Sequence, residues 1–317
     1  MRGIAIILVV LGHSIGFLEN PLNRVILSFH MPLFFFISGI LAKTKTQQGD
    51  FISFKCYLMN KTKTILIPQI ILFVEKVGID YFKHQKITGS LLLTEAFNWF
   101  LIVLFYVVIL FYVCDKIALI EKKWLLLFLT FLFIVVVVEV LNLKTIFHIE
   151  ILPVAFLFYL SGYYTKNNLL KKEKSETKKI LSKNLWIFSL PVMAIISVWN
   201  SPIAMYNNDY GNLILFGLTS VLGIWGTYEI SIRIYDNNIL RWYGKNSIVI
   251  YIFHFGFLNV LHGLGTWVFP FLFDKNYLYP AYLCYFLVTM ILLTPMIYIC
   301  NRYLWFLFGK KRHFKGS

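Results

Sequence analysis

Two residues that a membrane interior tolerates badly, Arg2 and His13, stand eleven positions apart in an otherwise apolar run. At about 100° per residue, eleven steps return to within about 20° of the start. A helix therefore puts both on one face, about 16 Å apart along its axis. Ionisable groups inside apolar spans are costly, which makes each a candidate for function. A second histidine, His30, sits in Phe29-His30-Met31-Pro32, and a third, His254, follows Ser247 and Tyr251. The i, i+4, i+7 spacing of Ser247, Tyr251 and His254 gives one polar stripe on an apolar helix. Further polar candidates are Glu139, the His148/Glu150 pair and Asn98-Trp99.

A neutral imidazole is a suitable general base near pH 7 for activating a hydroxyl group. Acyl transfer to an alcohol needs that base, an acyl donor held nearby and a group that stabilises the developing oxyanion. The sequence holds no Gly-x-Ser-x-Gly elbow, CxxC, HExxH or Walker A motif, so hydrolase, zinc and ATP chemistries have no support. A donor on a phosphorylated carrier such as coenzyme A suits a basic entrance electrostatically. Plainer readings stand beside these. A lone His254 could be a hydrogen-bonded packing residue, Arg2 a topology anchor, and Glu139 and Glu150 side chains that snorkel to an interface.

The elements that must position these groups follow from composition. Of 317 residues, 59% are hydrophobic, 18% aromatic and only 14% charged. A soluble domain of this length carries about 25% charge. So apolar a chain cannot cover itself with a water-compatible surface, which excludes a soluble enzyme, a disordered tail and a secreted disulfide scaffold. Apolar stretches able to cross about 30 Å of hydrocarbon recur along the sequence. They predict an all-α polytopic bundle of ten spans at about 3–18, 25–42, 64–79, 97–114, 124–142, 148–165, 185–200, 211–232, 246–262 and 278–300. Pro68, Pro153 and Pro295 interrupt three of them, and Glu75 and Lys76 near the end of the third make it the weakest. The first lacks a small-x-small cleavage site and reads as a retained span rather than a signal peptide. His13 and His30 each lie five residues below the outer end of their spans. With a short connection over 19–24, they are expected at one depth.

Charge tests the count. With both termini in the cytoplasm, 24 of the 30 Lys and Arg residues fall on the cytoplasmic side and six outside, as the positive-inside rule expects. The net charge of +15 then reflects orientation rather than nucleic-acid binding. The Lys166–Lys183 segment reads as a cytoplasmic loop, too poor in apolar residues for a core, and the chain as a single transmembrane domain over 1–317 without a fused soluble domain. Cys56, Cys114, Cys284 and Cys300 lack metal-site spacing and read as packing residues; no metal is expected.

The run from Arg2 through Gly12-His13 resembles the Arg-x10-His signature of the membrane acyltransferase-3 family. Phe29-His30-Met31-Pro32 through Ser38-Gly39 is similar to its second block. Trp99-Phe100-Leu101, Tyr210-Gly211-Asn212 and Gly244-Lys245-Asn246-Ser247-x3-Tyr251-x2-His254 follow in family order across nearly the whole chain. The resemblance implies a ten-helix O-acyltransferase of a bacterial cytoplasmic (plasma) membrane. It would move an acetyl or other short acyl group from cytoplasmic acetyl-CoA or another acyl-CoA to a sugar hydroxyl of a surface polysaccharide or its lipid-linked precursor. Acyl-CoA is then a substrate, with no resident cofactor. Arg2 would hold the donor and His13 act as base, with His30 the third catalytic member. Ser247, Tyr251, His254, Trp99, Glu139 and Asn212 would bind substrate or donor. The family commonly carries an Asp three residues before the Arg, which has no counterpart ahead of Arg2. It often carries Arg residues before the third span, where Lys61 and Lys63 stand here; Lys keeps the charge but loses bidentate phosphate geometry. Two other readings fit parts of the pattern. A transporter or flippase for a lipid-linked sugar could use intramembrane His and Glu as a proton relay, and a scaffold in glycan assembly would need no histidine chemistry.

Overall fold

The computed structural model describes residues 1–15, 20–44, 53–84, 98–141, 144–145, 147–171, 184, 186–268 and 278–310. The end of the first expected span, Lys86, Lys275, residues 172–183 of the expected loop and the basic residues after Lys310 lie outside them. Among the described residues the regular elements are helical and no strand forms. The helices are α1 (Arg2–Ile15), α2 (Pro21–Leu27), α3 (His30–Ile40), α4 (Phe54–Lys61), α5 (Ile67–His84), α6 (Trp99–Lys116) and α7 (Lys123–Val135). They continue with α8 (Leu152–Lys171), α9 (Trp186–Trp199), α10 (Leu213–Arg233), α11 (Asn238–Lys245), α12 (Ser247–Val268) and α13 (Leu278–Tyr303). A helix satisfies its own backbone groups where no water can, which is the solution apolar runs demand in lipid.

Each expected apolar stretch carries helix. Six helical segments among the described residues are long and apolar enough to cross a membrane: Pro21–Ile40, Trp99–Lys116, Lys123–Val140, Leu213–Arg233, Ser247–Val268 and Pro280–Tyr303. Arg2–Ile15 and Trp186–Trp199 are shorter apolar helices. Large apolar side chains on these elements stand open, with Trp267 82%, Trp124 78% and Ile214 74% exposed. Such a surface needs hydrocarbon around it, and the chain is a multi-pass membrane protein. Pro68 lies in a continuous helical run, just after a π-helical turn at Thr62–Leu66 that joins α4 to α5, and Pro153 follows a 3-10 turn at Ile149–Ile151. Pro295 lies inside α13.

The chain divides into two compact units, each discontinuous in sequence. One holds Met1, Arg24–Met59 and Trp99–Asn237; the other holds Arg2–Asn23, Asn60–Asn98 and Asn238–Ser317. In the first unit α3 lies along α8, α10 packs on α9 and α3, and α8 also meets α6 and α7. The α3–α8 contact is backbone on backbone. A Cβ on Gly39 would enter the Tyr159 carbonyl, and one on Gly162 would enter the Phe36 carbonyl. Small residues are what allow so close a crossing in a membrane. In the second unit α1 packs on α11, α12 and α13, and α12 packs on α5 and α13.

The reciprocal glycines set a test. Gly39→Ala and Gly162→Ala each force the helices apart and should cost about 1–3 kcal/mol, the usual overpacking penalty. A lowered thermal midpoint of detergent-solubilised protein, followed by size-exclusion chromatography, reads the effect; unchanged midpoints would refute the close crossing.

Candidate functional site

The second unit gathers most of the expected chemistry. Helix α1 is continuous from Arg2 to Ile15, so Arg2 and His13 share one rigid element as their spacing required. Gly3 seats the start of that helix against the Leu240 carbonyl of α11, and Arg2 thereby meets the Gly244 end of the Gly-Lys-Asn-Ser block. At the other end, His13 is accessible while Gly12, Ser14 and Ile15 around it are buried. Its ring lies 5.1 Å, centroid to centroid, from that of His254 and 5.9 Å, edge-on, from that of Phe255.

His254 is buried on α12. Its Nδ1 lies 3.1 Å from the Ile250 carbonyl and 2.8 Å from the Tyr251 carbonyl. A carbonyl oxygen only accepts, so Nδ1 carries the proton and Nε2 holds the lone pair. That Nε2 is buried and has no hydrogen-bond partner among the described residues. A buried polar atom left unpaired costs about 1–3 kcal/mol, and this lone pair is available to a ligand or a reacting proton. Tyr251, one turn before, donates its hydroxyl to Asn98 Oδ1 at 2.8 Å, and its ring centroid is 6.0 Å from that of His254. Ser247 opens α12 on the same stripe.

The residue between Lys245 and Ser247 builds the base of this unit. Asn246 Oδ1 accepts from Asn301 Nδ2 at 2.9 Å and from Lys310 Nζ at 2.7 Å, while its Nδ2 donates to the Trp242 carbonyl at 2.9 Å. Burial holds the Lys310 ammonium below the ordinary lysine range, and does the same to Lys61.

The remaining candidates belong to the first unit. His30 is buried at the start of α3, after a break at Ser28 and Phe29. Its Nδ1 bonds the Ile26 carbonyl at 2.8 Å, which fixes the same tautomer as in His254. The break is held by Ser220 Oγ, which donates to the Ser28 carbonyl at 2.9 Å. Trp99 opens α6 in an aromatic cluster with Phe35 and Phe100. Asn212 is the N-cap of α10, accepting from the backbone N–H groups of Ile214 and Leu215 at 3.0 and 3.1 Å. Glu139 is exposed and borders an apolar groove of about 880 Å³ with Phe131, Leu157 and Val221. Glu150 is buried and closed on its own turn, accepting from Thr145 N and Thr145 Oγ at 3.2 and 2.6 Å. The units thus separate the expected site residues. His13, His254, Tyr251, Ser247 and Arg2 lie in one, and His30, Trp99, Asn212 and Glu139 in the other.

Sequence reasoning missed three groups. Phe255, read as plain apolar, carries the ring on which His13 rests. Lys76, counted only as an outward charge, lies with its Nζ 5.8 Å from the Phe255 centroid. Glu229 on α10 is buried and takes Trp225 Nε1 at 2.7 Å, the Trp186 N–H at 3.2 Å and Arg233 at 3.2 Å. The i, i+4 spacing of Glu229 and Arg233 was the available signal for that last pair. Among the described residues no three His, Cys, Asp or Glu side chains gather as a metal site would need.

A family model described as an acyltransferase domain matches residues 1–302. No curated protein and no solved structure matches the chain.

The Asn246 junction should carry more stability than the hydroxyl pair above it. Asn246→Ala strips an acceptor from a half-buried ammonium and a partner from Asn301, and should cost about 1.5–3 kcal/mol, against about 1 kcal/mol for Tyr251→Phe. Thermal midpoints of the two purified variants check the order; equal midpoints would contradict it.

Proposed function

The chain belongs to the acyltransferase-3 family of membrane proteins, and from that premise we propose that it is an O-acyltransferase with its base at His13. It takes a short acyl group, acetyl by default, from cytoplasmic acyl-CoA to a sugar hydroxyl of a surface polysaccharide or its lipid-linked precursor. The contact between an accessible His13 and a buried His254 with a free lone pair is the observation that carries this reading. A general base must be reachable by the hydroxyl it deprotonates, and its own tautomer must be held. His13 meets the first need by exposure. We assign the second to His254, whose unpaired Nε2 would accept an N–H from His13 in the loaded site and leave the other His13 nitrogen for the substrate proton.

Arg2, on the same helix about 16 Å away, suits the phosphates of the donor. Ser247 and Tyr251 border the path between them on α12. His30, whose Nδ1–H is held by the Ile26 carbonyl, is assigned to the reaction by the family block that carries it. Trp99, Asn212 and Glu139 are assigned to substrate or donor binding on the same ground. Ten spans, cytoplasmic termini and a bacterial cytoplasmic membrane complete the reading, supported by helix in each expected stretch and by the basic bias of one set of loops.

A flippase for a lipid-linked sugar would also tolerate intramembrane imidazoles, but it has no need for Arg2 and His13 on one face. The test is the O-acetyl content of the surface polysaccharide in cells carrying wild type, His13→Ala or Arg2→Ala at equal expression. Loss of a general base lowers rate by about 10²–10⁴, so acetylation should vanish in His13→Ala while the glycan is still exported. Unchanged acetylation in both variants would refute the mechanism, and loss of export would favour the flippase.

A further inference from the structure

The acyl-transfer reading leaves one requirement unfilled. When a hydroxyl oxygen attacks a thioester carbonyl, negative charge collects on the carbonyl oxygen, and a donor or cation must meet it. Arg2 cannot serve beside His13, because the helix rise puts it about 16 Å away. We propose that Lys76 of α5 is the oxyanion-stabilising catalytic residue, an assignment that rests on the acyltransferase reading above.

The geometry of three consecutive residues on α12 argues for it. His254 meets the ring of His13, Phe255 meets His13 and Lys76, and Gly256 meets Glu75. Glu75 presses so close that a Cβ on Gly256 would strike its Oε1. That contact fixes the rotation of α5 against α12. The next residue lies about 100° around α5, and there the Lys76 ammonium stands 5.8 Å from the Phe255 ring centroid. The same ring packs edge-on against His13 at 5.9 Å. The Phe255 ring is therefore shared by the Lys76 ammonium and the His13 imidazole. In a site of low dielectric a fixed cation acts on nearby charge far more strongly than in water.

The step balances without a further reactant. The acceptor oxygen forms a bond to the thioester carbon as its proton passes to the neutral imidazole. The carbonyl electron pair moves onto oxygen, opposite the ammonium. The pair then returns, the carbon–sulfur bond breaks, and the leaving thiolate takes the proton from the imidazolium. The products are the ester and the free thiol, with His13 neutral and Lys76 unchanged.

The test uses membranes that hold the full-length protein and the host's own glycan, supplied with acetyl-CoA labelled in its acetyl group. Lys76→Met should lower kcat about 100–1000-fold, the usual cost of one oxyanion donor, with the KM for acetyl-CoA within about twofold of wild type. Lys76→Arg, which keeps the charge, should recover at least tenfold of that loss. Thermal midpoints of the solubilised variants should match wild type, which a merely structural lysine would not allow. A Lys76→Met enzyme with wild-type kcat overturns the assignment. So does one whose KM rises while kcat holds, since Lys76 would then bind donor phosphates. A wild type that transfers no acetyl group to glycan overturns the acyltransferase reading and this assignment with it.

Discussion

In hydrocarbon a polar side chain must find its partner inside the protein, and in this chain the first partner is the helix that carries it. Ser14, Ser38, Ser161, Thr130 and Thr219 all return their hydroxyls to carbonyls three or four residues back, at 2.7–3.0 Å. Asn259 does the same with its amide. For a hydroxyl this closes the account. His30 and His254 obey the same rule through Nδ1, and for an imidazole the result is chemical. Committing Nδ1–H to a backbone carbonyl leaves Nε2 as a lone pair, so the constraint that quiets a serine prepares a histidine to act as acceptor.

Groups that their own helix cannot satisfy are settled between helices, and these junctions hold each unit together. Tyr251 with Asn98, Asn246 with Asn301 and Lys310, and Glu229 with the Trp186 N–H are of this kind, while Trp225 and Arg233 reach Glu229 from its own helix. Each brings a donor to every buried acceptor it exposes, which is the condition for a polar network in a low-dielectric interior to stabilise rather than cost. His254 Nε2 is one of several buried polar atoms that no group among the described residues satisfies. It lies beside an accessible His13, where a substrate proton could reach.

Much of this was legible in the sequence, because apolar periodicity and length fix where helices must run. The shared face of Arg2 and His13 followed from an eleven-residue spacing alone, and α1 carries both. Partners across long separations were not legible. Periodicity says which face of a helix a residue occupies but not which helix it meets. The spacing of the spans put His13 and His30 at one depth but gave no sign that His254 is the ring neighbour of His13 within its own unit. Asn212, a candidate by motif, proves to cap a helix, a role that Asn fills for any ligand or none. Lys76 was counted with the outward charges, since a lone lysine near the end of a span reads as topology. Its place over Phe255 depends on Glu75 fitting against Gly256, a contact between residues 181 positions apart.

On the acyltransferase reading, the separation of Arg2 from His13 constrains the donor more than the charge count does. Moving a phosphate group into the hydrocarbon region costs far more than a single guanidinium returns. The anionic end of the donor must therefore stay where Arg2 stands, at the margin of the apolar run. The reacting carbonyl must nevertheless reach His13, about 16 Å further along the same helix. Only a donor whose phosphates and thioester are separated by a flexible, largely uncharged arm meets both conditions. An acyl phosphate, with charge and carbonyl adjacent, would have to leave its cation behind to reach the base. If Arg2 holds the donor as proposed, an acyl-CoA meets both conditions, and the rise of one helix sets the length its arm must span.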